Sequence, residues 1–154
     1  MRAIQDLYPD DFAHCFGCGR HNARGHLLKS FVDGDEVVAR FTPRPEHTAL
    51  PGFVYGGLIA SLIDCHAMAT AAAAAERAAG REIGEGEAPR FVTAALNVSF
   101  LKPTPMGDEL VLRARVTDRN ERKAVVDVAL SVDDVVTARG NVIAVPMPAS
   151  MSAR

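Results

Sequence analysis

Apolar positions along this chain follow two rhythms. Between Gly57 and Ala79, Leu58, Ile59, Leu62 and Ile63 recur at helical spacing, and an alanine-rich run continues to Gly80. Alanine is the best helix former and glycine a common helix stop, so one long helix is predicted over 57–79. Its alanines leave a thin cylinder, suited to enclosure by a curved sheet. Elsewhere the period is two. Leu27 to Phe31 and Val37 to Phe41 read as strands joined by the hairpin signal Asp33-Gly34-Asp35. Phe91 to Leu101 alternates, with Leu96, Val98 and Phe100 on one face and Asn97 and Ser99 on the other. Leu110, Leu112, Ala114 and Val116 alternate with Glu109, Arg113 and Arg115. Ala124 to Val132 and Val135 to Val145 follow, with Arg119-Asn120-Glu121-Arg122 and Asp133-Asp134 as turns. The order ββ-α-ββββ predicts an α+β domain, an antiparallel sheet with one long helix on a single face.

The aperiodic segments set the boundaries. Residues 1–26, rich in Gly, His and Cys, read as an irregular arm or cap, residues 27–148 as the folded domain, and residues 149–154 as a flexible C-terminus. Thr42 to Gly57 is a loop punctuated by Pro43, Pro45, Pro51 and Gly52, and Gly80 to Pro89 is a polar, glycine-rich loop.

Composition narrows the function more than the fold. A formal charge of −2 offers no global attraction to nucleic acid or an anionic membrane, so any anionic ligand needs locally gathered basic groups. Asp64 and His66 interrupt the best apolar run, so no membrane partner is expected. The start, Met1-Arg2-Ala3-Ile4-Gln5-Asp6-Leu7, lacks the apolar core of a signal peptide, and three cysteines are an odd number for a disulfide scaffold. Together these point to a reducing, cytoplasmic setting.

The densest chemistry lies in Leu50-Pro51-Gly52-Phe53-Val54-Tyr55-Gly56-Gly57, followed by Asp64. Glycines at the mouth of a helix leave its first amides open to a visitor, at the positive end of the helix dipole. There a carbonyl oxygen gaining charge is stabilised. Asp64, two turns in among Ile63, Cys65 and Ala60, is costly to bury without a task or a partner. An electrophilic helix end and a carboxylate on one helix suggest acyl transfer by hydrolysis. The bland alternatives are a buried Asp satisfied by backbone amides or a partner's Arg, and a tight loop-to-helix junction. Cys65 and His66 point roughly 100° and 200° away from Asp64 and are expected in the core. Cys15-x-x-Cys18, with His14 and His21 beside it, offers a cramped four-ligand zinc set with no second Cys pair. A glycine-rich turn with small buried thiols is the preferred reading, and no metal is assigned.

Pro51-Gly52-Phe53-Val54-Tyr55-Gly56-Gly57-Leu58-Ile59-Ala60-Ser61-Leu62-Ile63-Asp64 resembles the motif of hotdog-fold thioesterases of the PaaI type. In that family a His-Gly-Gly precedes an Asp at the start of the central helix. Leu96-Asn97-Val98-Ser99-Phe100-Leu101-Lys102-Pro103 resembles its strand ending in Lys-Pro, and His14-Cys15-Phe16-Gly17-Cys18-Gly19 resembles an N-terminal segment of some members. The resemblance implies a hotdog fold, with an antiparallel sheet wrapped around one long central helix. It implies an acyl-CoA substrate, an oxyanion-binding amide at Gly56 with Gly57 adjacent, and Asp64 as general base or nucleophile. It also implies sites shared between subunits, hence at least a homodimer and possibly a homotetramer. No cofactor is implied beyond the CoA of the substrate.

One position departs from the pattern. Tyr55 stands where the family has His, and a phenol can donate a hydrogen bond but is no base at neutral pH. His47, in the preceding loop, is a second candidate for the site. Asn97 and Ser99 are candidates for the acyl channel or for solvent. Arg90, Lys102, Arg122 and Lys123 are candidate anchors for CoA phosphates, or solvated charges. The rival readings are a non-catalytic acyl-CoA binding or regulatory module and an acyl-thioester hydratase or dehydratase. Chain length and aromaticity of the acyl group stay open.

Overall fold

A computed structural model describes residues 1–152. Its regular elements are β1 (Ser30–Asp33), β2 (Glu36–Phe41), α1 (Gly56–Ala78), β3 (Phe91–Phe100), β4 (Leu110–Arg119), β5 (Ala124–Val132) and β6 (Val135–Pro146). The strands form one antiparallel sheet in the order β1-β2-β4-β5-β6-β3, and α1 packs against every strand. This is the hotdog arrangement.

The helix-facing side of the sheet is aliphatic. Leu110, Leu112, Val126, Leu130, Ala138 and Val142 are fully buried against Leu62, Ile63, Ala67 and Ala71 of α1. Contact is tight at Gly140, where a Cβ would lie 2.4 Å from Ile63 Cγ2, so glycine lets β6 approach the helix closely. By length and hydropathy α1 would also pass as a membrane span. Here 67% of its most apolar stretch is buried inside the fold.

Several boundaries move from the sequence expectation for local reasons. The first strand begins at Ser30, because Leu27 is left-handed (φ 55°) and the amides of His26 and Leu28 donate to Phe16 O and Gly17 O instead. Those bonds tie the segment to the arm and take its donors from the ladder. The helix begins at Gly56. The fourth strand extends to Arg119 past a bulge between Val116 and Asp118, and left-handed Asp133 and Asp134 turn β5 into β6. Ala149–Met151 form a 3-10 turn, while Ala153 and Arg154, the end of the expected flexible C-terminus, lie outside the described residues.

Residues 1–26 hold 3-10 turns at Ile4–Leu7 and Asp10–Phe12, and Ile4, Leu7, Tyr8, Ala13 and Cys18 join the same core as the sheet. A buried polar relay stitches this arm to the helix. Gln5 Nε2 donates to Ser30 Oγ (2.8 Å), Ser30 Oγ lies 2.8 Å from His66 Nδ1, and His66 Nε2 lies 2.9 Å from Val37 O. A carbonyl can only accept, so Nε2 carries the ring proton and Nδ1 accepts from Ser30. Burial pushes the His66 pKa down to about 4, which keeps that neutral tautomer. The expected packing role of His66 thus includes a polar one.

At the opposite sheet edge, β3 has a neighbour on one side only. Leu96 is 38% exposed and Phe100 55% exposed along it.

Candidate active site

Tyr55 is the N-cap of α1. Its N–H donates to His47 O (2.8 Å), and its carbonyl accepts from Leu58 N (3.1 Å) and Ile59 N (3.3 Å). The next two amides, of Gly56 and Gly57, have no helical acceptor upstream and point out of the positive helix end. The Tyr55 ring folds back over Gly57: a Cβ there would sit 2.4 Å from the ring and 2.7 Å from its hydroxyl oxygen. A Cβ at Gly56 would sit 3.4 Å from the Phe100 ring. A side chain at Gly57 would have to displace the exposed Tyr55 ring, whereas one at Gly56 would meet Phe100 only at the edge of ordinary contact, and the two open amides share their mouth with the phenol.

Asp64 lies two turns further along, half-buried beside β3, and its Oδ1 accepts a hydrogen bond from Thr93 Oγ1. The strand is irregular at this point, with a register shift between Thr93 and Ala95. Such bulges re-aim side chains and recur next to active sites. Burial raises the Asp64 carboxyl above its ordinary value; the Thr93 bond opposes this, Cys15 adds to it and Arg90 opposes it. A carboxylate raised toward neutrality is a better proton acceptor than a solvated one. Thr93 is a site residue that sequence reasoning missed, since alternation alone gives no signal for a hydroxyl re-aimed by a bulge.

Gly56 and Asp64 are eight residues apart on one helix. That spacing gives about 12 Å of rise and roughly 80° of rotation, so one small carbonyl group cannot touch both within a chain.

Residues 51–139, more than half of the chain, match the sequence model of the thioesterase superfamily. The chain belongs to the thioesterase superfamily. The matched segment contains Gly56, Gly57, Asp64 and Thr93. Among solved structures, a thioesterase superfamily protein from Shewanella loihica PV-4 is similar at 48% identity with TM-score 0.69, covering 90% of this chain and 98% of its own. The E. coli PaaI protein from the phenylacetic acid degradation operon shares the fold at 17% identity and TM-score 0.64, covering 80% of this chain and 81% of its own. The smu.793 protein of Streptococcus mutans UA159, solved with acetyl CoA, shares it at 17% identity and TM-score 0.60, over 78% of this chain and 88% of its own. No curated protein matches the chain.

The remaining candidates sort by position on this superfamily fold. His47 is buried; its Nδ1 accepts from Arg44 N (2.9 Å), and its ring packs beside His26 (5.2 Å) and Phe41 (5.8 Å). Its carbonyl holds the N-cap, so its visible work is to shape the loop beneath the helix mouth. Asn97 and Ser99 pair with Asn141 and Arg139, while their neighbour Val98 pairs with Gly140, which faces the helix. Both therefore stand on the outer face of the sheet, away from Asp64, where they border a small groove with Asp127 and Arg139. Arg90 stacks its guanidinium over the Tyr8 ring (4.3 Å) at the Asp64 end of β3. Arg122 and Lys123, in the exposed β4–β5 turn, belong to the same end, because Ala124 and Thr93 both pair with Ala144. Lys102 follows the other end. The nine steps from Phe91 to Phe100 separate those ends by roughly 30 Å, so the four basic residues are not one cluster within a chain.

Proposed function

We propose that this protein hydrolyses an acyl-CoA thioester to a carboxylic acid and CoA, in sites shared between two copies of the chain. The observation that carries the reading is the half-buried Asp64, raised in pKa and oriented by Thr93, on a helix whose mouth presents two open glycine amides. Membership of the thioesterase superfamily supports the reaction class. The separation of Gly56 from Asp64 supports the shared site: the helix mouth of one protomer works with the carboxylate of its partner. The one-sided β3 edge, with Leu96 and Phe100 exposed, suits antiparallel pairing with a second copy.

In the proposed step Asp64 takes a proton from water as the oxygen attacks the thioester carbonyl. The carbonyl oxygen becomes an oxyanion held by the Gly56 amide, with the Tyr55 phenol as a second donor. Collapse breaks the carbon–sulfur bond, and the CoA thiolate takes up the proton. Direct attack by Asp64 would instead give an anhydride that water opens. Single-turnover hydrolysis in labelled water separates the two, since label enters Asp64 only through the anhydride. No metal or redox cofactor enters either route. Arg90 is the basic group best placed to meet a CoA phosphate near Asp64. Three free cysteines support a reducing, cytoplasmic setting.

The test is thiol release from short, medium, long and aryl acyl-CoA thioesters by wild type and Asp64→Asn. A positioned base is worth roughly 10²–10⁴ in rate, so a folded Asp64→Asn protein should lose turnover by that factor. Wild-type rates in the variant would overturn the assignment. Binding without turnover by wild type across the whole panel would make the protein a binding module.

A further inference from the structure

The arm brings a second set of reactive side chains to α1 that thioester hydrolysis does not use. The sulfurs of Cys15, Cys18 and Cys65 lie within 4.8 Å of one another, with Cys15 Sγ and Cys65 Sγ 3.7 Å apart, and none is in a disulfide. Cys65 is fifty residues from Cys15 in the chain, so the convergence is a product of the fold.

The backbone is shaped around these sulfurs. Gly19 N donates to Cys15 O (2.7 Å), closing a tight turn over Cys15-Phe16-Gly17-Cys18. A Cβ at Gly17 would lie 2.3 Å from Cys65 Sγ, and one at Gly19 would lie 2.4 Å from Cys15 N. Either side chain would force the thiols apart. The turn is then held to the domain by His26 N donating to Phe16 O (2.8 Å) and Leu28 N to Gly17 O (3.0 Å). Cys18 and Cys65 are buried, whereas Cys15 is partly open. The buried Tyr8 hydroxyl, in the same arm, has no hydrogen-bond partner.

We propose that Cys15, Cys18 and Cys65 form a three-thiolate site for one thiophilic d10 cation, zinc being the expected ion, which ties the arm to the central helix. Zinc–sulfur bonds of about 2.3 Å in tetrahedral array set neighbouring sulfurs about 3.8 Å apart; Cys15 and Cys65 already stand at 3.7 Å, and Cys18 lies within 4.8 Å of both. An all-sulfur donor set selects zinc or copper(I) and rejects magnesium and calcium. A metal takes each cysteine as its thiolate, and one ion facing all three sulfurs would hold them in that form. Three protein ligands leave one position, on the open side of Cys15, for water. Binding exchanges thiol protons for the ion.

The histidines beside the motif are not ligands. His14 and His21 stack on each other at 5.3 Å, and His21 Nε2 lies 3.0 Å from Asp10 Oδ1. This revises the metal-free expectation: the missing ligand for Cys15-x-x-Cys18 comes from the helix, next to Asp64, where spacing along the chain cannot reveal it. The site takes no ligand from the residues proposed for hydrolysis, and its test reads metal directly rather than turnover.

The full chain, purified reduced and without chelator or affinity histidines, should carry about one zinc or copper per chain by elemental mass spectrometry. Either metal supports the site and names its ion. After chelator stripping, Co²⁺ should produce a sulfur-to-cobalt charge-transfer band that Zn²⁺ abolishes. The band should weaken in Cys15→Ser and persist in His14→Ala and His21→Ala. Should Cys15→Ser fail to fold, wild type still decides: iodoacetamide should modify the partly open Cys15 slowly when metal-loaded and rapidly after stripping. A reduced protein with no stoichiometric metal and no charge-transfer band would overturn the proposal. So would equal labelling of the loaded and stripped forms.

Discussion

Replacing Ser30 by Ala removes one oxygen atom and disconnects two elements that the chain folds together. Ser30 is completely buried, and its hydroxyl both accepts from Gln5 Nε2 and donates to His66 Nδ1, each at 2.8 Å. Alanine leaves both of those groups unpaired, and Gln5 and His66 are themselves fully buried. An orphaned buried polar group costs about 1–3 kcal/mol, so the pair should cost roughly 2–6 kcal/mol. The backbone bond from Ser30 N to Gln5 Oε1 (2.8 Å) survives, so the upper end needs both side-chain losses in full. For a chain of this length about 2–4 °C of Tm accompanies each kcal/mol, so Ser30→Ala should melt roughly 4–24 °C lower. Urea denaturation followed by circular dichroism gives the free energy, and a thermal scan the shift. A cycle with His66→Leu adds a check, because the two changes share one lost bond. Their combined cost should fall short of the sum by about 0.5–3 kcal/mol. A Ser30→Ala protein within about 0.5 kcal/mol of wild type, the range of ordinary surface changes, would refute the closed relay.

Three further outcomes test the site. Thr93→Val removes the hydroxyl that orients Asp64; a hydrogen bond to a charged group is worth about 1.5–3 kcal/mol, so thiol release should slow by roughly ten- to a hundredfold with the fold intact. An unchanged kcat would return Thr93 to mere packing. Tyr55→Phe keeps the ring over Gly57 and deletes only the donor, and a lost oxyanion donor costs around 10²–10³ in kcat. A wild-type kcat in Tyr55→Phe would leave the amides as sole donors. Leu96→Asp puts a charge on the exposed β3 edge, so sedimentation should show a shift from dimer to monomer and turnover should disappear with it. An active monomer would refute a site shared between chains.

Much of the architecture was legible in sequence because it rests on short-range physics. The alanine-rich period of Gly57 to Ala79 marked the helix to within one residue at each end, and alternation marked β5 without error. Local bonds decided where such patterns misled. Leu27 to Lys29 carries apolar residues like a strand, yet its neighbouring amides are taken by the arm. Likewise, Gly56, Gly57 and Asp64 stood out as candidates by residue type, since helix-mouth glycines and a carboxylate in an apolar run are costly without a task or a partner.

What spacing could not carry is which distant groups meet. Asn97 and Ser99 were separable from Leu96 and Val98 by period, but only the pairing of Val98 with Gly140 decides that they face away from the helix. Arg90 and Lys102 looked like one basic set until β3 held them at opposite ends. Thr93 reaches Asp64 by way of a bulge, and Cys65 reaches Cys15 across the packed arm, neither of which has a local signature. The sequence by itself determined the elements, the fold class and the reactive residue types, because periodicity and propensity act between near neighbours. Tertiary structure alone decided the register, the facing and the partners of those residues, because a contact between distant segments depends on the whole packing.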